Sequence, residues 1–238
     1  MLFRWDERVI RWQVDASEYT GYHKAMAELL KRYIPDGGTL CDMGCGLALS
    51  DFYLAPALRS VTCVDVDANA LAFVRRRAEE RGFRNVSTME SDGLKVRGEW
   101  DTVLAQFHGS IETMGVPYLR MARERLIIVT HGNTVGSTGP AAYREKKCCN
   151  TGTTKAWLDA HGWTYTQENG CLEFGQPHRS LEDAVAATAA YCPNAPEEEL
   201  REYVKSTVEP TGDPEFPLYT PKERCFGIFV IPRRGNPV

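Results

Sequence analysis

Apolar and polar positions follow two rhythms along this chain. From Phe3 to about Tyr33 the apolar residues recur at three- and four-residue steps, ending in Met26, Leu29, Leu30 and Tyr33. That spacing predicts helices, with Ser17 and Glu18 opening a second one. Pro35-Asp36-Gly37-Gly38 stops it. Short apolar runs then alternate with helix-length segments. Strands are predicted at Thr39–Asp42, Ser60–Asp65, Val86–Met89, Trp100–Phe107 and Arg125–Thr130, and helices at Ala48–Leu58, Asn69–Arg81 and Gly109–Arg123. Strands separated by helices imply βαβ units and a parallel sheet, joined by right-handed crossovers. The unbroken run Leu126–Val129 is the pattern of a strand buried on both faces.

After His131 the rhythm changes. A Gly- and Thr-rich connection runs to Thr151. A helix is predicted at Thr154–His161, and one or two strands between Trp163 and Phe174. Two further helices are predicted at Ser180–Tyr191 and Glu197–Val208, and a final strand at Phe226–Ile231. The whole reads as one domain over 1–238, with an N-terminal helical lid at 1–34 and a helical cap inserted at 175–224. No internal repeat breaks the pattern.

Composition narrows the partners. Hydrophobic residues make up 43% and charged residues 25% of 238, with net charge -4, the balance of a folded globule. The densest basic run, Arg75–Arg77, is followed at once by Glu79 and Glu80. It reads as a solvated helix face, so nucleic acid is not an expected partner. No run approaches the roughly 20 apolar residues of a membrane span, and Met1–Asp6 lacks a leader's apolar core. The eight cysteines include no CxxC pair, and several sit in apolar runs, so buried, reduced thiols and a cytoplasmic location are expected. Adjacent Cys148 and Cys149 read as packed or idle. No metal ligand set is expected.

The chemistry concentrates at Leu40-Cys41-Asp42-Met43-Gly44-Cys45-Gly46-Leu47-Ala48, where a strand runs through a glycine turn into a helix. At the carboxyl edge of a parallel sheet such a turn lets backbone approach a ligand. A dinucleotide fingerprint would continue to a small residue where Leu49 stands, which fits badly. The segment instead resembles motif I of the class I S-adenosylmethionine-dependent methyltransferases, an acidic residue followed by x-G-x-G-x-G. Asp42, Gly44 and Gly46 match, and Ala48 replaces the third glycine. The resemblance extends over Ile34 to Thr130. It implies a Rossmann-like, seven-stranded, mostly parallel α/β sheet with the last strand antiparallel, and S-adenosylmethionine as cofactor.

From this resemblance follow the expected sites. Asp65, ending the second strand, accepts from the ribose hydroxyls. Val66, Asp92 and Gly93 lie near adenine. Asp42, Gly44, Cys45, Gly46, Gln106 and Tyr22 complete the cofactor set. For Asp67 a helix N-cap is at least as good a role as ligand contact. His108, just past the fourth strand, is the candidate catalytic base, its plainer role being a loop histidine bonded to backbone. Tyr19, Phe107, His131 and Tyr143 are the candidate acceptor contacts. The absence of a DPPY-like tetrapeptide disfavours base and glutamine methylation, and aromatic lining favours a small organic acceptor. The alternatives are a silent binding or scaffold protein, and a protein or RNA methyltransferase with a partner. The lid and cap would otherwise serve as a homodimer interface.

Overall fold

The computed structural model describes residues 4–132, 138–143 and 150–236. Phe3, Cys148 and Cys149 therefore lie outside the described residues. Seven strands form the main sheet: β1 (Thr39–Met43), β2 (Ser60–Asp65), β3 (Val86–Glu90), β4 (Trp100–Gln106), β5 (Ala122–His131), β6 (Thr166–Glu173) and β10 (Glu223–Pro232). Their order is β3-β2-β1-β4-β5-β10-β6. Only β10 is antiparallel, to both β5 and β6. This is the Rossmann-like α/β architecture that the resemblance implies, with the parallel strands expected from the alternation. Residues on one strand divide between two cores, because side chains alternate across a sheet. Leu40, Leu104 and Ile127 face α2 (Tyr22–Lys31), α3 (Asp51–Leu54) and α4 (Ala68–Glu80). Cys41, Val103 and Leu126 face α5 (Ile111–Met121) and α6 (Thr151–Ala160).

Several element boundaries differ from the expectation. The first helix, α1 (Glu7–Thr20), runs through Ser17 and breaks at Gly21. Ser17 is no N-cap because its hydroxyl is turned to His23 Nδ1, 2.8 Å away. The helix expected at Ala48–Leu58 shrinks to α3 and a 3-10 turn at 55–57. Ala48 stands at φ 50°, which delays helical geometry, and Leu58 is already extended.

The segment 175–224 is not purely helical. It holds β7 (Gln176–His178), α7 (Leu181–Tyr191), α8 (Glu197–Thr207), β8 (Glu209–Pro210) and β9 (Leu218–Thr220), the strands forming a second sheet in the order β7-β9-β8. Ser180 caps α7 by accepting from the Asp183 N–H at 3.1 Å. The N-terminal helix is fastened to this cap. Trp12 Nε1 donates to Asp183 at 2.9 Å, Arg11 pairs with the same carboxylate, and Gln13 donates to Tyr191. Trp12 thus packs on α7 with Val9 and Ala187, so α1 and α7 form a joined structure.

The expectation of uniformly reduced cysteines is also corrected. Cys171 and Cys225 are direct register partners on β6 and β10 and are joined by a disulfide. Residues far apart in sequence become neighbours only through strand pairing, which spacing does not reveal. Cys41, Cys45 and Cys63 are free thiols. Among the described residues no helix is long and apolar enough to cross a membrane.

Candidate functional site

The chain reverses its direction of sheet growth between β1 and β4. Crevices at such switch points, outside the carboxyl ends of the strands, are where open α/β sheets take ligands. The glycine turn lies there. Gly44 and Cys45 both donate N–H bonds to Val64 O, at 2.8 and 3.0 Å, tying the turn to the end of β2. Gly44 has φ 70° and Gly46 φ 52°, a region that side chains disfavour. Space forbids a side chain as well. A Cβ on Gly44 would stand 2.2 Å from the His108 ring, and one on Gly46 would stand 2.8 Å from the Trp5 ring.

Asp65 closes the back of the turn. Its carboxylate accepts from Gly46 N–H at 2.8 Å and from Asp67 N–H at 2.9 Å. A carboxylate has about four lone-pair positions, so one remains on each oxygen for a ligand hydroxyl. Asp67 acts as N-cap of α4, accepting from Asn69 and Ala70. Val66 is exposed at 48% and Leu94 at 40%. They follow β2 and β3, neighbouring strands, and leave two apolar side chains at the crevice edge. Asp92 accepts from Leu94 N–H at 3.0 Å, and Gly93 is packed under the Tyr118 hydroxyl.

Asp42 plays a different part. It is 4% exposed, beneath the turn, and burial followed by the neighbouring Asp51 carboxyl raises its pKa well above the usual range. Burial likewise lifts Asp51 to about 7. Cys63 donates its thiol to Asp51 at 3.4 Å. Two adjacent buried carboxyls cannot both ionise at low cost, so this pair supports the turn from below in a partly protonated state. Burial raises the Cys45 thiol to about 11.

Past β4, Phe107 adopts φ 55° while its N–H donates to Val129 O at 2.8 Å. Strain of this kind costs about 1–3 kcal/mol and concentrates at functional sites. It turns the chain so that His108 lies on Gly44. His108 Nε2 is 3.3 Å from the Tyr118 hydroxyl. Burial lowers the His108 pKa against the opposing charges of Asp65 and Asp92, which keeps the ring neutral near pH 7. Burial raises Tyr118 to about 12, so its hydroxyl stays protonated. Phe107 stacks on His131 with ring centroids 4.6 Å apart. Gln106 ends β4 beside Val129.

The remaining candidates stand elsewhere. Tyr22 is 1% exposed, and its ring contacts are His23, Phe174 and Arg224, none of them on the glycine turn. Tyr19 meets Phe216 and Tyr219. Tyr143 donates to Glu199 of α8 at 2.9 Å. Trp5, Asp51, Leu94, Tyr118 and Arg224 were not singled out from sequence. Each enters through a tertiary contact, except Leu94, whose place just after the third strand was a usable signal.

The comparisons with known proteins agree with this geometry. A family described as "Methyltransferase domain" matches residues 40–126. No curated protein matches the sequence. Among solved structures, the chain is similar to magnesium protoporphyrin IX methyltransferase from Synechocystis with bound SAM, at 15% identity and TM-score 0.50, covering 89% of this chain and 79% of that one. It is similar to precorrin-6y C5,15-methyltransferase from Geobacter metallireducens, at 13% identity and TM-score 0.53, covering 89% and 88%. It is also similar to the 4+2 cyclase SpnF, at 16% identity and TM-score 0.54, covering 90% and 80%.

Proposed function

We propose that this chain, whose residues 40–126 match a methyltransferase-domain family, transfers a methyl group from S-adenosylmethionine to a small or medium organic acceptor. The observation that carries the reading is the turn at Gly44 and Gly46, closed behind by Asp65 and faced by His108. The residues present fit an adenosyl cofactor. Asp65 has lone pairs for two ribose hydroxyls, Val66 and Leu94 offer apolar cover for a base, and the positive-φ glycines keep side chains off the turn itself. S-adenosylmethionine, when bound, supplies an electrophilic methyl group on a sulfonium.

The protein's share of the work is positioning and desolvation, since in-line displacement depends on alignment. His108, neutral and partly buried, accepts the proton of an acceptor hydroxyl or amine, while the Tyr118 hydroxyl holds the ring in place. The strained Phe107 sets His108 over the turn, and its stack on His131 forms a wall for the acceptor.

A second reading is a binding or cyclising protein without methyl transfer. It draws on the His108 and Trp5 rings lying against both glycines, and on the cyclase that shares the fold. Mass-spectrometric detection of S-adenosylhomocysteine separates the readings, with the protein incubated with S-adenosylmethionine and pooled phenols, amines and carboxylic acids, or with RNA or protein. Product with at least one small acceptor supports the proposal. Product with RNA or protein alone contradicts it. Cofactor binding without turnover in any pool favours the second reading.

A further inference from the structure

A second hollow lies apart from the glycine turn, between α1, the cap and the start of β10. It is a shallow, half-open hollow of about 460 Å³, counting the solvent at its mouth. Phe174, Tyr191 and Ala187 give it apolar walls, and Thr188 and Thr220 give it hydroxyls. Its charged lining is Lys222 and Arg224, with no acidic side chain among the described residues that line it. His178 adds no charge near neutrality, since burial pushes its pKa down to about 4. A chain of net charge -4 therefore contains a cationic hollow.

Arg224 is the focus. Its guanidinium stands 4.3 Å from the Phe174 ring centroid, 5.1 Å from Phe107 and 5.5 Å from Tyr22. Among the described residues it has no carboxylate partner. Rings orient a guanidinium by cation–π attraction, and with the Tyr22 hydroxyl drawing one of its five donors the others remain for a ligand. A fork of donors so held is matched to a carboxylate. Phe107 is the residue before His108, so Arg224 joins the hollow to the reacting loop through one ring.

We propose that this hollow is the acceptor subsite, and that it takes an organic acid whose carboxylate is bound by Arg224 and whose flat, apolar body rests among Phe174, Tyr191 and Ala187. The proposal rests on the methyltransferase reading for the word acceptor, while the preference for acids stands on the hollow itself.

The test is isothermal titration of the full chain, with and without S-adenosylhomocysteine. The probes are 4-hydroxycinnamate, salicylate and indole-3-acetate, each against its primary amide, with inorganic phosphate as competitor. At least one acid is expected to bind ten-fold or more tighter than its amide. Arg224→Gln should remove that preference, and Arg224→Lys should keep part of it, with both variants melting as cooperatively as the parent. Both should bind S-adenosylhomocysteine within about two-fold of the parent. No acid binding better than its amide, or an unchanged preference in folded Arg224→Gln, overturns the proposal. Phosphate competing as well as the acids overturns the organic-body part. Failure of S-adenosylhomocysteine to bind, with acid preference intact, strikes the methyltransferase reading alone.

Discussion

The glycine-turn crevice and the cap hollow are both openings near the sheet, but they are built by opposite means. The crevice is made of backbone. Its shape comes from Gly44 and Gly46 at positive φ and from N–H bonds to Val64 and Asp65. Its acidic groups are Asp65 and, beneath the turn, the partly protonated Asp42–Asp51 pair. The hollow is made of side chains from α1, β7, α7, α8 and β10, and its charge is cationic. A backbone-built site depends on a few residues that no substitution replaces. A site built of side chains is adjustable one contact at a time, and this division suits a fixed cofactor beside a variable acceptor.

The comparison breaks most sharply at Gly44. Gly44→Val puts a side chain into the His108 ring, at 2.2 Å for Cβ alone. Calorimetry should show S-adenosylhomocysteine affinity reduced at least about a hundred-fold, near 2.8 kcal/mol, while Arg224→Gln leaves it intact. Equal affinity in Gly44→Val would remove the distinction between the two regions. Next in size is His108→Gln, for which a loss of about 10²-fold in kcat is expected if the ring moves a proton. Because burial lowers its pKa, the acidic limb of the parent's rate profile should fall below the ordinary histidine value of about 6.5. A profile unchanged by the substitution would leave His108 a wall of the crevice only.

The buried carboxyl pair gives a smaller effect, read as stability. Asp51 has a folded pKa of about 7 against the ordinary aspartate value of 3.8. A raised folded pKa means that the folded state holds the proton longer. The pair's contribution is therefore full below about 3.8 and is lost as pH rises through about 7. Urea unfolding of the parent between pH 4 and 8 should show this decline, and Asp51→Asn should flatten it. Parallel profiles would show that the two carboxyls are not coupled as the geometry indicates. Smallest is Ala48→Gly. It relieves φ 50°, worth about 1–2 kcal/mol, but adds backbone freedom to the unfolded chain. A net gain under about 1 kcal/mol is expected in thermal melts, and a loss would mean that the alanine methyl packs better than the strain suggests.

The same contrast explains what was legible in the sequence. Strands such as Leu126–Val129 and the turn at Gly44–Gly46 announce themselves, because apolar runs and glycine spacing are local signals. Asp65 was found for the same reason, as the acid ending a strand. Asp51 facing Asp42 was hidden, since the expected helix at Ala48–Leu58 gave no direction to its side chain. The Cys171–Cys225 bond required the register of β6 against β10. Arg224 was invisible for a stronger reason: Tyr22, Phe107 and Phe174 come from three distant segments, and no pattern in one of them implies the others. Tyr19 and Tyr22 are candidates by their place on the N-terminal helices, and the fold sets Tyr19 against Phe216 and Tyr219, buries Tyr22, and bonds Tyr143 to Glu199.

The central claim is that the turn and Asp65 hold an adenosyl cofactor. It is tested most directly by calorimetric titration of S-adenosylmethionine, S-adenosylhomocysteine and NAD into the purified chain, beside Asp65→Ala and Asp65→Asn. The asparagine variant retains an acceptor for a backbone N–H and so separates ligand contact from support of the turn. The account predicts binding of the two adenosyl-sulfur ligands and not NAD, with both variants weakened at least ten-fold, about 1.4 kcal/mol. Unchanged affinity in the folded variants, or no binding to the folded parent, would contradict it.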